Sequence, residues 1–267
     1  MAVIGMITDS HYNRQIQYGS RYCPDSLVKL QAALAVFRTA GVDLVINLGD
    51  SLDCHGLMHL DEDSLADLQE LLASASVPVY SVMGNHDLEL LDKAHFCRAF
   101  ALPSLFPLSF NHGNCHIILL DAAFSEDGQD TCGPQWDWRD SWIPAEQIAW
   151  LQADLAASTH PFNLVCVHQN LDIRATEGPE DPHCIRNAAA VRTVLQDSGR
   201  RIIVLQGHYH PGMRQLQQGI PYLTLRAMCE GPGLENNAFA ILRTGDDGTA
   251  CFTGYARQDS LVVFDDC

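Results

Sequence analysis

An aspartate and a histidine separated by one residue, Asp9-Ser10-His11, close an apolar run near the start of the chain. Gly49-Asp50 closes the run at 42–48, Gly84-Asn85-His86-Asp87 follows 77–82, His168 closes 163–167, and Gly207-His208-Tyr209-His210 closes 201–206. Five runs that read as buried strands therefore end in carboxylate, amide or imidazole groups. Oxygen and nitrogen donors converging from several strand ends are what a metal cluster needs. Asp9 and His11, two apart on an extended segment, can point to one side, and so can His208 and His210. The Asp50 carboxylate has two oxygens with which to bridge two cations, and Asn85 adds a neutral carbonyl oxygen. No cysteine falls within these motifs, so the expected donor set is oxygen and nitrogen only. Such a set suits manganese, iron or zinc and gives little reason to expect Cu(I) or an iron–sulfur cluster.

Regular elements must position these groups. A strand over 2–8 leads to a helix over 25–39, where Leu27, Leu30, Leu34 and Phe37 recur at helical spacing. Gly41 ends that helix, as helix C-termini favour. A strand at 42–48, a helix at 64–75 and a strand at 77–82 follow. A helical patch near 92–100 precedes a strand at 115–120. Pro144 opens a helix over 145–157 that carries Ile148, Trp150, Leu151 and Leu155. A strand at 163–167, a helix at 185–196 and a strand at 201–205 complete the alternation. The tail changes character, with strands at 222–225, 238–242, 251–254 and 261–264 joined by turns. The pattern predicts one α/β domain over 1–267, with two packed mixed β-sheets flanked by helices. In such sheets ligands sit beyond the carboxyl ends of the strands, where all five motifs fall. Two long irregular stretches, 125–143 and 169–184, stand out, since long structureless connections usually carry function or disorder.

The composition, 47% apolar and 18% charged, is that of a soluble globular chain. No apolar stretch approaches the roughly 18 residues of a membrane span, so no membrane partner is expected. Val3 already belongs to the first strand, which leaves no room for a signal peptide and points to the cytoplasm. The ten cysteines are scattered without a C-x-x-C pair, and reduced thiols are expected over a disulfide framework. Cys54, just after Gly49-Asp50, is expected near the site. A net charge of −17 argues against nucleic acid as a partner. An anionic substrate must then be drawn by a local positive field at the metals.

The ordered set Asp9-x-His11, Gly49-Asp50, Gly84-Asn85-His86-Asp87, His168 and Gly207-His208-x-His210 resembles the calcineurin-like metallophosphoesterase superfamily. The resemblance implies a four-layer α/β/β/α sandwich. It also implies that Asp9, His11, Asp50 and His210 bind one metal, while Asp50, Asn85, His168 and His208 bind the other. Asp50 would be the bridge. Two such cations, roughly 3.5–4 Å apart, acidify a bridging water and clamp both oxygens of an in-line displacement at phosphorus. His86 is not a ligand in the family pattern. As the catalytic residue it can donate a hydrogen bond to the developing charge or a proton to the leaving group, with Asp87 orienting it. The segments Arg21-Tyr22-Cys23-Pro24-Asp25-Ser26-Leu27, Gly219–Leu225 and Asn237-Ala238-Phe239 are similar to a branch containing Mn-dependent ADP-ribose/CDP-alcohol diphosphatases. Vertebrate members of that branch carry Gln where this chain has His11.

The resemblance implies a binuclear phosphoric-ester hydrolase acting on diester or pyrophosphate linkages of a small phosphorylated substrate, a nucleotide being one option. The alternatives are a phosphomonoesterase, including a protein phosphatase, and a scaffold that keeps the fold without catalysis. Taken singly, each motif has a plain structural reading: a strand-end turn for Asp9-x-His11, an ordinary turn for Gly49-Asp50, a core histidine for His168. The other histidines (55, 59, 95, 112, 116, 160 and 183) are expected to be structural or solvent-facing, with His55 and His183 the two to watch. Tyr12, Arg14, Arg21 and Arg174 are candidates for phosphate or nucleotide contact. The segment Trp136-Asp137-Trp138-Arg139-Asp140-Ser141-Trp142 is either an aromatic lid or a loop anchored by its indoles, the second being preferred.

Overall fold

A computed structural model describes residues 1–55, 61–172 and 181–265. Arg174, and part of the irregular stretch at 169–184, lie outside the described residues. The strands alternate inward and outward side chains, and that alternation builds the layers. Strand β1 (Ala2–Ile7) sends Ile4 and Met6 to one face and Val3 and Ile7 to the other. It pairs in parallel with β2 (Leu44–Asn47), which pairs in parallel with β3 (Val79–Ser81). On its other side β1 runs antiparallel to β10 (Ala238–Thr244), followed by β11 (Ala250–Ala256) and β12 (Leu261–Phe264).

The second six-stranded sheet has the order β4-β5-β6-β7-β9-β8. These are β4 (Leu108–His112), β5 (Cys115–Leu119), β6 (Phe162–Cys166), β7 (Ile202–Gln206), β8 (Met213–Gln217) and β9 (Ile220–Thr224). Its inner face carries Ile117, Leu119, Leu164, Cys166, Ile203 and Leu205, packed against Ile4, Met6, Leu44 and Ile46 of the first sheet. Its outer face carries Ile118, Val165, Ile202 and Val204, covered by α4 (Ala145–Ala157) and α5 (Ala188–Asp197). Helices α1 (Ser26–Thr39), α2 (Glu62–Ala73) and α3 (Lys93–Ala99) cover the first sheet with Leu30, Phe37, Leu65, Leu68 and Phe96. The expected mixed double sandwich with outer helices is what forms. Each fully buried aliphatic or Phe side chain contributes about 1.5–3 kcal/mol relative to exposure, so the layers are held chiefly by this burial.

Local signals account for the helix starts. The Asp61 carboxylate accepts from Ser64 N and caps α2, and Asp92 caps α3 by accepting from His95 N. Two strands escaped the sequence reading, β4 and β8. Both are edge strands on the second sheet with half-buried, polar-rich residues, so neither gives a hydrophobic signal. Helix α5 begins at Ala188, three residues later than expected. Among the described residues every cysteine is free, and no helix is long and apolar enough to cross a membrane.

Candidate metal centre

The parallel strands β1, β2, β6 and β7 end on the same side, and their last turns meet there. Two glycines make the meeting possible. A Cβ at Gly84 would lie 2.1 Å from Asp50 N, and one at Gly207 would lie 2.2 Å from Thr8 Oγ1 and 2.6 Å from Asp9 Oδ2. No other residue fits either gap without moving the carboxylates. The strand-end residues also take unusual backbone angles. Asp9, His11, Asp50 and His208 have φ of 49°, 46°, 50° and 67°. Asp and His visit this left-handed region more readily than most residues, but each still costs of order 1–3 kcal/mol. Such strain is retained where the surrounding structure holds a side chain in a set direction.

Those directions converge. Asp9, His11 and Asp50 offer ligand atoms that all lie within 4.8 Å of one another, and so do Asp50, His168 and His208. Asp50 belongs to both groups. Its Oδ2 lies 3.1 Å from His168 Nε2 and 3.5 Å from His11 Nε2, while its Oδ1 accepts from His86 N at 2.8 Å. His210 Nε2 lies 3.2 Å from His11 Nε2 and 3.6 Å from Asp9 Oδ1. Asp9 is itself held by Thr8 Oγ1 at 2.6 Å and by His208 N at 3.2 Å. Asn85 lines the same cleft as Asp50, His208 and His210. The seven strand-end donors of the sequence motifs are thus gathered at one place.

The far nitrogens of the rings are fixed by partners behind them. His168 Nδ1 donates to Leu48 O at 2.8 Å, and His210 Nδ1 pairs with Glu230 Oε1 at 2.5 Å. His11 Nδ1 has an ion-pair contact with Asp53 Oδ2 at 3.2 Å but no hydrogen bond. A metal-ligating histidine is oriented in this way, with its other nitrogen occupied. By contrast, several groups pointing inward have no hydrogen-bond partner although buried: Asn85 Oδ1 and Nδ2, His168 Nε2 and His208 Nε2. Buried polar atoms left without partners are costly, at about 1–3 kcal/mol each, and rare in native proteins. Amide and imidazole donors left open in this way, beside the Asp9 and Asp50 carboxylates, fit a pair of divalent cations.

The electrostatics divide the imidazoles. Burial and the Arg21 charge oppose protonation of His11, yet Asp53, Asp9 and Asp50 outweigh them and raise its pKa to about 9. Burial likewise opposes protonation of His168, and Asp50 and Asp9 raise it to about 9. Burial, helped by the neighbouring His168, pushes His208 well down, and burial lowers His210 against Glu230 and Asp9. Burial also disfavours ionised Asp9 and Asp50, but the surrounding histidines hold both carboxyls below the usual range.

Beside the cluster, a cleft of about 410 Å³ opens to solvent. Its walls include Tyr18, Arg21, His55, His86, Trp136, Trp138, His183 and Tyr209. The Tyr18 and His55 rings lie 4.1 Å apart between centroids, tilted by 37°, and Trp138 lies 5.5 Å from His183. Trp136 Nε1 donates to Asn85 O at 2.7 Å, so this indole both anchors its loop and faces the cleft. His55 and His183 are placed at the cleft; Cys54 is buried and does not line it. Tyr12 and Arg14 turn away and pair with Asp67.

One expected role is corrected. Asp87 does not orient His86: its Oδ1 accepts from Ser51 N and Leu52 N, and its Oδ2 from Gly84 N. It ties the Asp50 loop to the Gly84 turn. His86 instead presents Nε2 to Arg21 Nη1 at 3.4 Å and Nδ1 to Glu89 Oε2 at 3.6 Å. Three residues went unrecognised from sequence. Asp53 and Glu230 sit behind ligands, and Cys229 brings a sulfur within 4.8 Å of ligand nitrogens of His11 and His210. Asp53 is three residues past Asp50, which was a usable signal. Cys229 and Glu230 lie beyond the last motif and carried none.

No curated protein matches the chain. Among solved structures, a dimetal phosphatase from Danio rerio superposes with a TM-score of 0.82 at 23% identity, covering 98% of each chain. Purple acid phosphatase PPD1 from yellow lupin (Lupinus luteus) gives a TM-score of 0.65 at 15% identity, over 99% of this chain and 52% of that one. GAP50, described as the anchor in the inner membrane complex of Plasmodium, gives 0.62 at 11% identity, over 98% of this chain and 87% of that one. These likenesses establish the fold. The calcineurin-like phosphoesterase model matches residues 2–212, and the chain therefore belongs to that family of metal-dependent phosphoester hydrolases.

Proposed function

We propose that the protein is a binuclear phosphodiesterase or nucleotide pyrophosphatase. Asp9, His11, Asp50 and His210 would hold one divalent cation, and Asp50, Asn85, His168 and His208 the other. The observation that carries the two-metal part of this reading is the sharing of Asp50 between two compact donor groups. Bound there, the metals would supply Lewis acidity and a water made nucleophilic at neutral pH, with manganese, iron and zinc as the candidates.

The remaining chemistry falls to the chain. Arg21 offers N–H donors and a permanent charge at the cleft wall, where phosphoryl oxygens must lie next to the metal ligands. Its guanidinium can only donate, so at the 3.4 Å contact His86 Nε2 is the acceptor. In that state Nε2 bears no proton, so His86 could protonate the leaving oxygen only after Nε2 has left the Arg21 contact and taken up a proton. The size and aromatic lining of the cleft support a substrate with a flat organic group beyond the phosphorus, and the preference for a diester or pyrophosphate rests on the resemblance of residues 21–27 and 219–225 to the diphosphatase branch. A small phosphorylated molecule, nucleotide-like in having a flat aromatic part, fits that lining. Buried free thiols such as Cys97, Cys115 and Cys166 support a reducing, cytoplasmic setting.

The test is a parallel assay of a chromogenic diester, a chromogenic monoester and a nucleoside diphosphate sugar with each metal added back. The expected outcome is a kcat/KM at least tenfold higher on the diester or pyrophosphate than on the monoester. The reverse order would replace this reading with a phosphomonoesterase. No turnover on any of them, with two metals bound, would return the scaffold reading.

A further inference from the structure

The two donor groups differ in one atom type. Around Asp50, His168, His208 and Asn85 the donors are oxygen and nitrogen. Around His11 and His210 a sulfur joins them, because Cys229 Sγ lies within 4.8 Å of ligand nitrogens of both rings. Cys229 is fully buried and its backbone is bolted to the site: its N donates to Asp9 O at 3.0 Å, and its O accepts from Tyr22 N at 2.9 Å. The segment around it is fixed from behind by Lys29, a fully buried ammonium that donates to Met228 O at 2.9 Å and Gly231 O at 2.7 Å. Next in sequence, Glu230 holds His210 Nδ1, which turns Nε2 of that ring toward His11 Nε2 and Asp9 Oδ1. A thiol, two imidazoles and a carboxylate therefore meet where these hydrogen bonds hold the backbone.

Resting on the two-metal reading above, we infer that Cys229 is a sulfur ligand of the His11–His210 seat, which selects a thiophilic divalent cation, zinc foremost, while the Asp50–His168–His208 seat has no such preference. A thiolate favours zinc and cobalt over manganese and magnesium, whereas carboxylate and amide donors accept the harder ions. Binding replaces the thiol proton with the cation and releases that proton to solvent. The centre would then be heteronuclear in its native state, with softness sorting the two ions.

The experiment is a titration of the metal-stripped full-length protein with Co(II), followed in the near ultraviolet, where thiolate-to-cobalt charge transfer absorbs. The wild type is expected to develop this band as the ions bind. Cys229→Ser and Cys229→Ala are expected to bind cobalt without it, and to lose at least tenfold in affinity for zinc relative to manganese. Two cobalt ions bound with no band, or a band that persists in both variants, overturns the inference and leaves the two-metal reading standing. No cobalt bound at all overturns the two-metal reading itself. Should the variants not fold, zinc-edge X-ray absorption of the wild type decides the matter: a sulfur at about 2.3 Å is expected, and a shell of nitrogen and oxygen alone refutes it.

Discussion

Two histidine–aspartate clusters in this molecule look alike in composition and differ in what they leave undone. On the outer face of the second sheet, His116 on β5 is fully engaged: Nδ1 pairs with Asn111 Oδ1 at 2.7 Å and Nε2 with Asp154 Oδ2 at 2.7 Å. Ser109 donates to the other Asp154 oxygen at 2.8 Å. At the strand ends, Asn85 Oδ1 and Nδ2 and His208 Nε2 are buried without a hydrogen bond, and His168 Nε2 has only an ion-pair contact with Asp50. Four backbones there are also strained, whereas neither His116 nor Asp154 has a positive φ. A satisfied, relaxed cluster ties β4, β5 and α4 together. An unsatisfied, strained one is shaped for something the chain does not itself provide.

Mutations sharpen this contrast. Asn85→Ala should cost little stability, since the amide has no partner to lose, but should remove a metal and lower turnover by about 10³-fold or more. Elemental analysis beside a diester assay checks it; full activity would break the comparison. His86→Ala should keep both metals and lower kcat by about 10²–10⁴-fold, the range for a general acid. Unchanged hydrolysis would remove His86 from the mechanism.

Removing the metals should reveal the pairing of His11 and His168 with carboxylates as a pH dependence. His11 and His168 have folded-state pKa values raised from 6.5 to about 9. Their imidazolium forms therefore stabilise the stripped protein fully below 6.5, and that contribution is lost as pH rises through 9. Melting of the stripped protein should accordingly fall across this window. Metal uptake should tighten across the same window, because ligands must shed protons. A stripped protein whose melting rises from 6.5 to 9 would contradict the assignment. The smallest effect on chemistry belongs to the other cluster. His116→Ala should lower stability by about 1–3 kcal/mol through the stranded Asp154, and leave kcat and metal content unchanged.

The layers and the strand-end donors were legible because both rest on local pattern. Apolar runs at 162–166 and 202–206 mark buried strands, and the Asp, Asn and His residues that close such runs mark the donors. What sits behind the donors was not legible. Glu230 and Lys29 act through contacts between residues far apart in the chain, such as Lys29 with Gly231, and no spacing rule announces them. Asp87 was misassigned for the related reason that adjacency to His86 in sequence is not adjacency of side chains. The 3₁₀ turn at His86–Leu88 sends the carboxylate back toward Ser51 and Gly84 instead. Edge strands β4 and β8 were missed because pairing on one side only demands little hydrophobicity.

The most direct test is metal stoichiometry paired with hydrolysis on the purified full-length protein, stripped by chelation and then reloaded. The account predicts that phosphoester hydrolysis disappears on stripping and returns only as the second ion per chain is bound. Hydrolysis that survives stripping, or a chain that saturates with one ion and is then fully active, would contradict a centre bridged by Asp50.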